Sequence, residues 1–159
     1  MKPHEIRPDT QLCTILGYNA QRGKRRRYFN RILNASQTNA TAIALNITDE
    51  HFAFTMDGVA HSKVDKMMLE PEFASRAVGY CQRLNPSAKQ RGRIDFIEVV
   101  SGEIVGYCLD EEALACFGDP AFVDETMLLV AKMMLIANRW FGVALEVDQV
   151  PLLIGEENA

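Results

Sequence analysis

The sequence has no run of about eighteen apolar residues, and no apolar signal segment follows its first residue. These absences argue against a membrane-spanning helix and against secretion, so we expect a cytoplasmic protein with no membrane partner. The four cysteines, Cys13, Cys81, Cys108 and Cys116, include no CxxC pair. Three of them lie in strongly apolar segments, which favours buried free thiols that a reducing compartment keeps reduced.

Residues for catalysis or metal binding are also scarce. His4, His51 and His61 show no ligand spacing among themselves or with the cysteines. No nucleophile stands in a recognisable pairing with a base, and no other complete catalytic constellation is found. We therefore expect no metal, no cofactor and no catalytic residue.

Charge is unevenly distributed along the 159 residues. The formal net charge is −4, yet five of the seventeen basic residues lie between Arg22 and Arg27, whereas residues 103–159 contain only Lys132 and Arg139. A polyanion would be repelled by such an acidic half, which argues against a nucleic-acid partner. With 48% hydrophobic residues, the chain is long enough for one compact domain over 1–159 that buries roughly 70% of its unfolded surface.

Hydrophobic periodicity predicts alternating strands and helices up to about residue 92, and a helical last third over 110–154. Residues 1–9 are polar and are expected to form a loose arm. The remaining predicted elements are strands at 10–16, 41–47, 64–70, 94–100 and 103–107, and helices at about 26–35, 48–56, 71–84, 110–117, 124–141 and 148–153. Ser101-Gly102 predicts a hairpin between the last two strands. This order predicts an α/β fold: one mixed sheet, mostly parallel with one antiparallel hairpin strand, flanked by helices.

The predicted helix at 124–141 is apolar nearly all round. Such a helix is either buried against the sheet or shared with a second copy, so we expect a homodimer. Three of the seven methionines lie in it, and core packing or a dimer face explains the methionines better than a cofactor site.

The stretch CTILGYNAQRGKRRRYFN, from Cys13 to Asn30, is the most informative of the chain. An apolar strand leads through a glycine-bearing loop into a helix whose first turn carries several cations. A helix start is already the positive end of the dipole, so a cluster of arginines there is unfavourable unless an anion lies nearby. The alternative is a solvated face whose arginines point outward and pair with carboxylates at small benefit.

Four separated segments, in order, resemble the substrate-binding domain of the shikimate dehydrogenase family. They are LCTILGYNAQRGKRRRYFN, NATAIALNI, NPSAKQRGRIDFIEVVSGEIVGYCLDEEAL with Gly106-Tyr107-x-x-Asp110, and LLVAKMMLIANRWFG. Full members of that family insert an NADP-binding Rossmann domain before the last of these segments. Too few residues separate the last two segments here to hold such a domain, so the resemblance implies a substrate domain without its cofactor half.

The same resemblance implies a changed pocket. Gly23 and Arg25 align with two serines that hold the substrate carboxylate, and Ala74 aligns with the catalytic lysine. Met68 and Asp95 align with two amide-bearing positions, and Lys132 aligns with a late glutamine, whereas the catalytic aspartate is kept as Asp110. Loss of the lysine leaves that carboxylate without its partner for acid–base work. The implied ligand-binding set is Arg22, Gly23, Lys24, Arg25, Asp95, Asp110 and Lys132.

The charged replacements predict a more anionic ligand, such as a phosphorylated or dicarboxylate metabolite. Asp110 has a plainer explanation as a helix N-cap, and Asp95, in an apolar strand, is expected to pair with Lys132 or an arginine. We therefore expect a non-catalytic protein that binds a small anionic metabolite, with a possible regulatory role. Two alternatives stay open: a homodimeric interaction protein, and a substrate subunit completed by a separate NADP-binding chain.

Overall fold

The computed structural model describes residues 6–155. Its strands are β1 (Gln11–Gly17), β2 (Ala40–Asn46), β3 (Lys66–Leu69), β4 (Arg83–Leu84), β5 (Phe96–Val100) and β6 (Glu103–Tyr107). Its α-helices are α1 (Lys24–Ala35), α2 (Asp49–Gly58), α3 (Pro71–Ala74), α4 (Pro86–Arg91), α5 (Asp110–Ala115), α6 (Glu125–Phe141) and α7 (Val150–Gly155). The chain forms two compact units. Among described residues, the first holds 6–11, 24–41 and 110–155, and the second holds 12–23 and 42–109.

Almost all of the six-stranded sheet belongs to the second unit, in the order β2-β1-β3-β5-β6-β4. β1 runs parallel to β3, with Leu16 opposite Leu69, and β4 runs parallel to β6. β5 is antiparallel to both of its neighbours, β3 and β6. The predicted mixed α/β sheet, mostly parallel with one antiparallel strand, is therefore confirmed.

The hairpin between β5 and β6 forms where the sequence predicts it. Ser101 and Gly102 both have positive φ, 52° and 80°, as a two-residue turn between twisted strands requires. Glycine adopts this conformation without a steric penalty, and a short polar side chain tolerates it better than a branched one. The register pairs Val100 with Glu103 directly across the turn.

Aromatic packing dominates the core of the second unit. Phe52 of α2 and Phe73 of α3 stack with ring centroids 4.3 Å apart and planes within 6°, and Tyr80 meets the edge of Phe52 at 6.0 Å. Both phenylalanines are buried, which favours folding by about 1.5–3 kcal/mol for each side chain. The buried cluster around them comprises Leu16, Met56, Val59, Met67, Leu69, Ala77, Ala88, Ile94, Ile97, Ile104 and Cys108.

The predicted helix over 71–84 is wrong beyond its first turn. α3 ends at Ala74, a 3₁₀ segment follows at Arg76–Tyr80, and the chain then becomes β4. The carbonyl of Ala74 accepts from the N–H of Ile94 at 3.0 Å instead of continuing a helix, and Gln82 N–H donates to Ile104 O at 2.9 Å. Pairing with the sheet therefore outweighs the helical periodicity of this segment.

The first unit is helical. In α6 the carboxylate of Asp124 caps the start by accepting from Met127 N–H at 2.8 Å, and Gly142, at φ 71°, ends the helix. Phe29 of α1 lies 6.5 Å from Trp140 and 6.2 Å from Phe141, centroid to centroid. The predicted C-terminal helices are confirmed, and one copy of the chain already buries most apolar side chains in the second half of α6.

Within residues 6–155, no helix is both long and apolar enough to cross a bilayer. The predicted arm over 1–9 lies partly outside the described residues. Its described part turns at Pro8-Asp9, because Thr10 N–H donates to Arg7 O at 3.0 Å.

Asn85 is expected to stabilise the second unit strongly. Its Oδ1 accepts from the N–H groups of Ala88 and Cys108, and its Nδ2 donates to Cys108 O, each at 3.0 Å. Asn85→Ala should lower the free energy of unfolding by about 2–3 kcal/mol in urea denaturation, because the α4 cap and two bonds to Cys108 are lost together. Asn85→Ser should recover about 1 kcal/mol, since its hydroxyl restores the cap alone. A loss below about 0.5 kcal/mol for the alanine variant would contradict this role.

Candidate functional site

The loop between β1 and α1, residues 18–23, follows the carboxyl end of β1, where ligands bind in many α/β sheets. Several bonds hold it within the second unit. Tyr18 N–H donates to Glu72 Oε2 at 2.8 Å, and Gln21 N–H donates to Asn46 Oδ1 at 3.0 Å. Gly23 N–H closes a 3₁₀ turn onto Ala20 O at 3.1 Å. The loop is therefore held by polar contacts to the last residue of β2 and to the segment that follows β3.

Glu70 is the most deeply placed charge at this loop. The residue is only 9% exposed, and its N–H extends the β1–β3 ladder by donating to Leu16 O at 2.9 Å. A Cβ at Gly17 would lie 2.5 Å from Glu70 Cγ, and a Cβ at Gly23 would lie 2.5 Å from Glu70 Oε1. Both glycines are thus needed for the Glu70 side chain to fit. The sequence analysis missed Glu70, although a glutamate between an apolar strand and Pro71 was a visible signal.

Tyr18 forms a surface cluster with Asp49 and Arg76. Its hydroxyl donates to Asp49 Oδ1, which also accepts from Arg76 at 2.7 Å. The guanidinium carbon of Arg76 lies 5.3 Å from the ring centroid of Phe73 and 5.6 Å from that of Phe52, so it sits over aromatic faces. The hydrogen bond to Asp49 raises the pKa of Tyr18, and the hydrogen bond from Arg76, followed by that from Tyr18, lowers the pKa of Asp49.

The basic run, the five cationic residues between Arg22 and Arg27, contains two kinds of side chain: engaged ones, which interact with other groups of the chain, and unengaged ones. Arg25, Arg26 and Arg27 interact with other groups of the folded chain. Arg22 and Lys24 are exposed, and within residues 6–155 their side chains make no hydrogen bond or ion pair. The first turn of α1 contains no acidic residue, so it supplies no carboxylate of its own.

Asp110 and Lys132 form a buried ion pair within the first unit. Lys132 Nζ donates to Asp110 Oδ1, and their side chains are only 4% and 11% exposed respectively. Asp110 lies in the first turn of α5, and Lys132 projects from α6. The sequence analysis singled out both residues but did not pair them with each other.

The other predicted positions belong to the second unit. Asp95 is buried, and its Oδ2 accepts from Leu109 N–H at 2.7 Å. Met68 is fully buried in β3, and Ala74, the last residue of α3, offers only a methyl group. These two side chains carry no group for proton transfer.

The cysteines are free, as expected, although only Cys13 and Cys108 are fully buried. Burial raises the pKa of Cys13 to about 12 and that of Cys81 to about 11, with Lys66 opposing the shift at Cys13. A thiol is nucleophilic only as thiolate, so neither is a candidate nucleophile at neutral pH.

An apolar hollow of about 120 Å³ lies in the first unit. It is lined by Cys116, four residues of α6, and Leu145 and Val147. It contains no group with a role in acid–base chemistry other than the Cys116 thiol, whose pKa burial and the neighbouring charge of Glu112 raise.

The Tyr18–Asp49–Arg76 cluster predicts an abnormal tyrosine titration. Tyr18 should ionise above the ordinary value of about 10, and Asp49→Asn should lower its pKa, because the anionic acceptor that opposes ionisation is lost while Arg76, which favours ionisation, remains. Difference absorbance titration against Tyr18→Phe isolates this residue from the other tyrosines. An unchanged titration in Asp49→Asn would rule out the hydrogen bond as the cause.

The Asp110–Lys132 pair predicts strong coupling. Lys132→Met should cost about 3–5 kcal/mol of unfolding free energy, because it removes one member of a buried ion pair. Adding Asp110→Asn should recover part of that loss, with a coupling energy of about 1.5 kcal/mol or more in a urea double-mutant cycle. Additive single effects would show that the two charges do not interact.

Comparison with solved structures shows a shared fold. Shikimate dehydrogenase from Aquifex aeolicus matches with a TM-score of 0.60 and 20% identity, over 69% of this chain and 41% of that one. Shikimate 5-dehydrogenase from Listeria monocytogenes, solved with shikimate and NAD, gives 0.60 and 15%, over 70% and 40%. A shikimate dehydrogenase in complex with NADP+ gives 0.61 and 14%, over 96% and 58%.

The chain therefore spans roughly two-fifths to three-fifths of the length of these enzymes. Comparisons with protein-family models and with curated proteins gave no match. At these identities the likeness concerns architecture: the chain has a shikimate dehydrogenase-like α/β fold.

Proposed function

We propose that this chain is a non-catalytic relative of the substrate-binding part of shikimate dehydrogenases, and that it binds a small anionic metabolite beside the β1–α1 loop. The observation that carries the proposal is the pair of exposed, unengaged cations Arg22 and Lys24 at the start of α1. An anion there would contact a guanidinium and an ammonium group, and it would benefit from the positive end of a twelve-residue helix.

The surroundings of Asp110 support a non-catalytic role. Asp110 is only 3% exposed and is neutralised by Lys132. A general acid or base must reach the proton it transfers within hydrogen-bond distance or through one water. A carboxylate this enclosed and already paired is suited to holding α5 and α6 together. Lys132 is engaged in the same way, so we assign the ligand contacts to the Arg22–Arg25 segment and leave Asp95, Asp110 and Lys132 out.

A second candidate function is self-association through the edge of the sheet. β2 is an outer strand, and its Ile43 and Leu45 point to the same face with 37% and 38% of their surface exposed. Alternating exposed apolar residues on an outer strand are a common site for pairing with another chain. Sedimentation analysis distinguishes this candidate: a monomer at the highest accessible concentration counts against it, and Ile43→Lys should dissociate a dimer.

The anion-binding proposal predicts a ligand-dependent melting temperature. Shikimate, quinate and inorganic phosphate are the probes, and methyl shikimate is the uncharged control. An anion present at about 100 times its Kd should stabilise the fold by about 2.7 kcal/mol, which raises the Tm of a chain this size by about 5 °C or more.

The double variant Arg22→Ala/Lys24→Ala should weaken that response at least tenfold in apparent affinity, because charge-assisted bonds contribute about 1.5–3 kcal/mol each. Lys63→Ala/Lys89→Ala is the matched control, since it removes two exposed lysines elsewhere and changes the net charge equally. If no anion changes the Tm, the proposal is wrong. If both double variants respond equally, the assigned residues are wrong.

A further inference from the structure

The β1–α1 loop already contains a carboxylate of the chain itself. The Glu70 side chain lies against Gly17 and Gly23, and the neighbouring Glu72 accepts the N–H of Tyr18. Two acidic side chains from the segment that follows β3 therefore occupy the loop from the inside. Nothing in the family resemblance or in the comparisons assigns a role to either.

The backbone of Glu70 is held on both sides. Its backbone is fixed by the bond to Leu16 O, and Pro71, the first residue of α3, restricts the chain on the other side. Because Glu70 is only 9% exposed, its charge must be offset within the fold. An uncompensated buried carboxylate would be protonated or would move out to solvent. The space beside Gly17 and Gly23 is therefore a carboxylate-binding position that the chain fills with its own Glu70 side chain.

We propose that Glu70 determines which anions this loop accepts: its carboxylate fills the inner position, so that external anions are confined to the outer cations Arg22 and Lys24. This inference extends the proposed function to the specificity of the same loop. It predicts that the inner position accepts a free carboxylate once Glu70 no longer occupies it.

The test follows from the atoms that Glu70→Ala removes. They are Cγ, Cδ and the two carboxylate oxygens, the same heavy atoms as in acetate. Glu70→Ala should melt below the wild type, and acetate should raise its Tm in a saturable manner with a Kd in the millimolar range. Acetamide, which has the same shape without the charge, should have at least tenfold weaker effect.

Three controls make the outcome specific. The wild type and Glu70→Gln should respond to acetate more weakly than Glu70→Ala, because their inner position stays filled and acetate reaches only the outer cations. Glu72→Ala, which removes a half-buried carboxylate from the same segment, should respond to acetate like the wild type. Equal effects of acetate and acetamide, or an acetate response that is the same in all four proteins, would overturn the assignment.

A second variant keeps the inference testable if Glu70→Ala does not fold. Glu70→Gln removes the charge but keeps the shape, so it should tighten phosphate binding at the outer cations about threefold to tenfold through loss of repulsion. Unchanged phosphate affinity in Glu70→Gln would contradict the role of Glu70, while the outer site would stand. Absence of phosphate binding in every protein, combined with acetate rescue of Glu70→Ala, would reject the outer site and leave the inner one.

Discussion

The buried carboxylate of Glu70, packed against Gly17 and Gly23, fixes the arrangement of the chain where β1 and β3 end. Glu70 lies where β3 ends, Gly17 lies where β1 ends, and the parallel pairing of Leu16 with Leu69 brings these ends side by side. A side chain at Gly17 or Gly23 would collide with Glu70, so Glu70 keeps this side-chain conformation only while both positions lack a Cβ. The same arrangement leaves Tyr18 free to reach Asp49, and it leaves Arg22 at the surface.

Charge pairing inside the chain changes how the family resemblance is interpreted. The resemblance treats Asp110 as what remains of a catalytic couple and Lys132 as a replaced ligand contact. In the structure the two side chains neutralise each other between α5 and α6. Lys132 on α6 therefore supplies a charge partner for a buried carboxylate on α5. A pair of this kind stabilises the helices only while both members are present, which ties the two positions together.

The sequence predicted the sheet class, the hairpin and the C-terminal helices because their signals are local. Ser101-Gly102 is a typical two-residue turn sequence, and the apolar residues of α6 recur with helical spacing. The helix predicted over 71–84 is wrong beyond its first turn because its backbone groups bond to residues distant in sequence. The carbonyl of Ala74 accepts from Ile94, just before β5, and the N–H of Gln82 donates to Ile104 of β6. The same limit applies to the site. Local pattern indicated the basic run, but only the folded chain separates Arg22 and Lys24 from the engaged Arg25–Arg27 and shows Glu70 within the loop.

The burial of Cys13 has a consequence for the chemical durability of the sheet. With a pKa of about 12, its thiolate makes up about one part in a hundred thousand at neutral pH. Peroxides and electrophiles react with that form, so Cys13 of β1 should be oxidised more slowly than the half-buried Cys116 of the helical unit. Of these two thiols, the one on the helical unit should therefore be modified first, while the thiol inside β1 stays reduced.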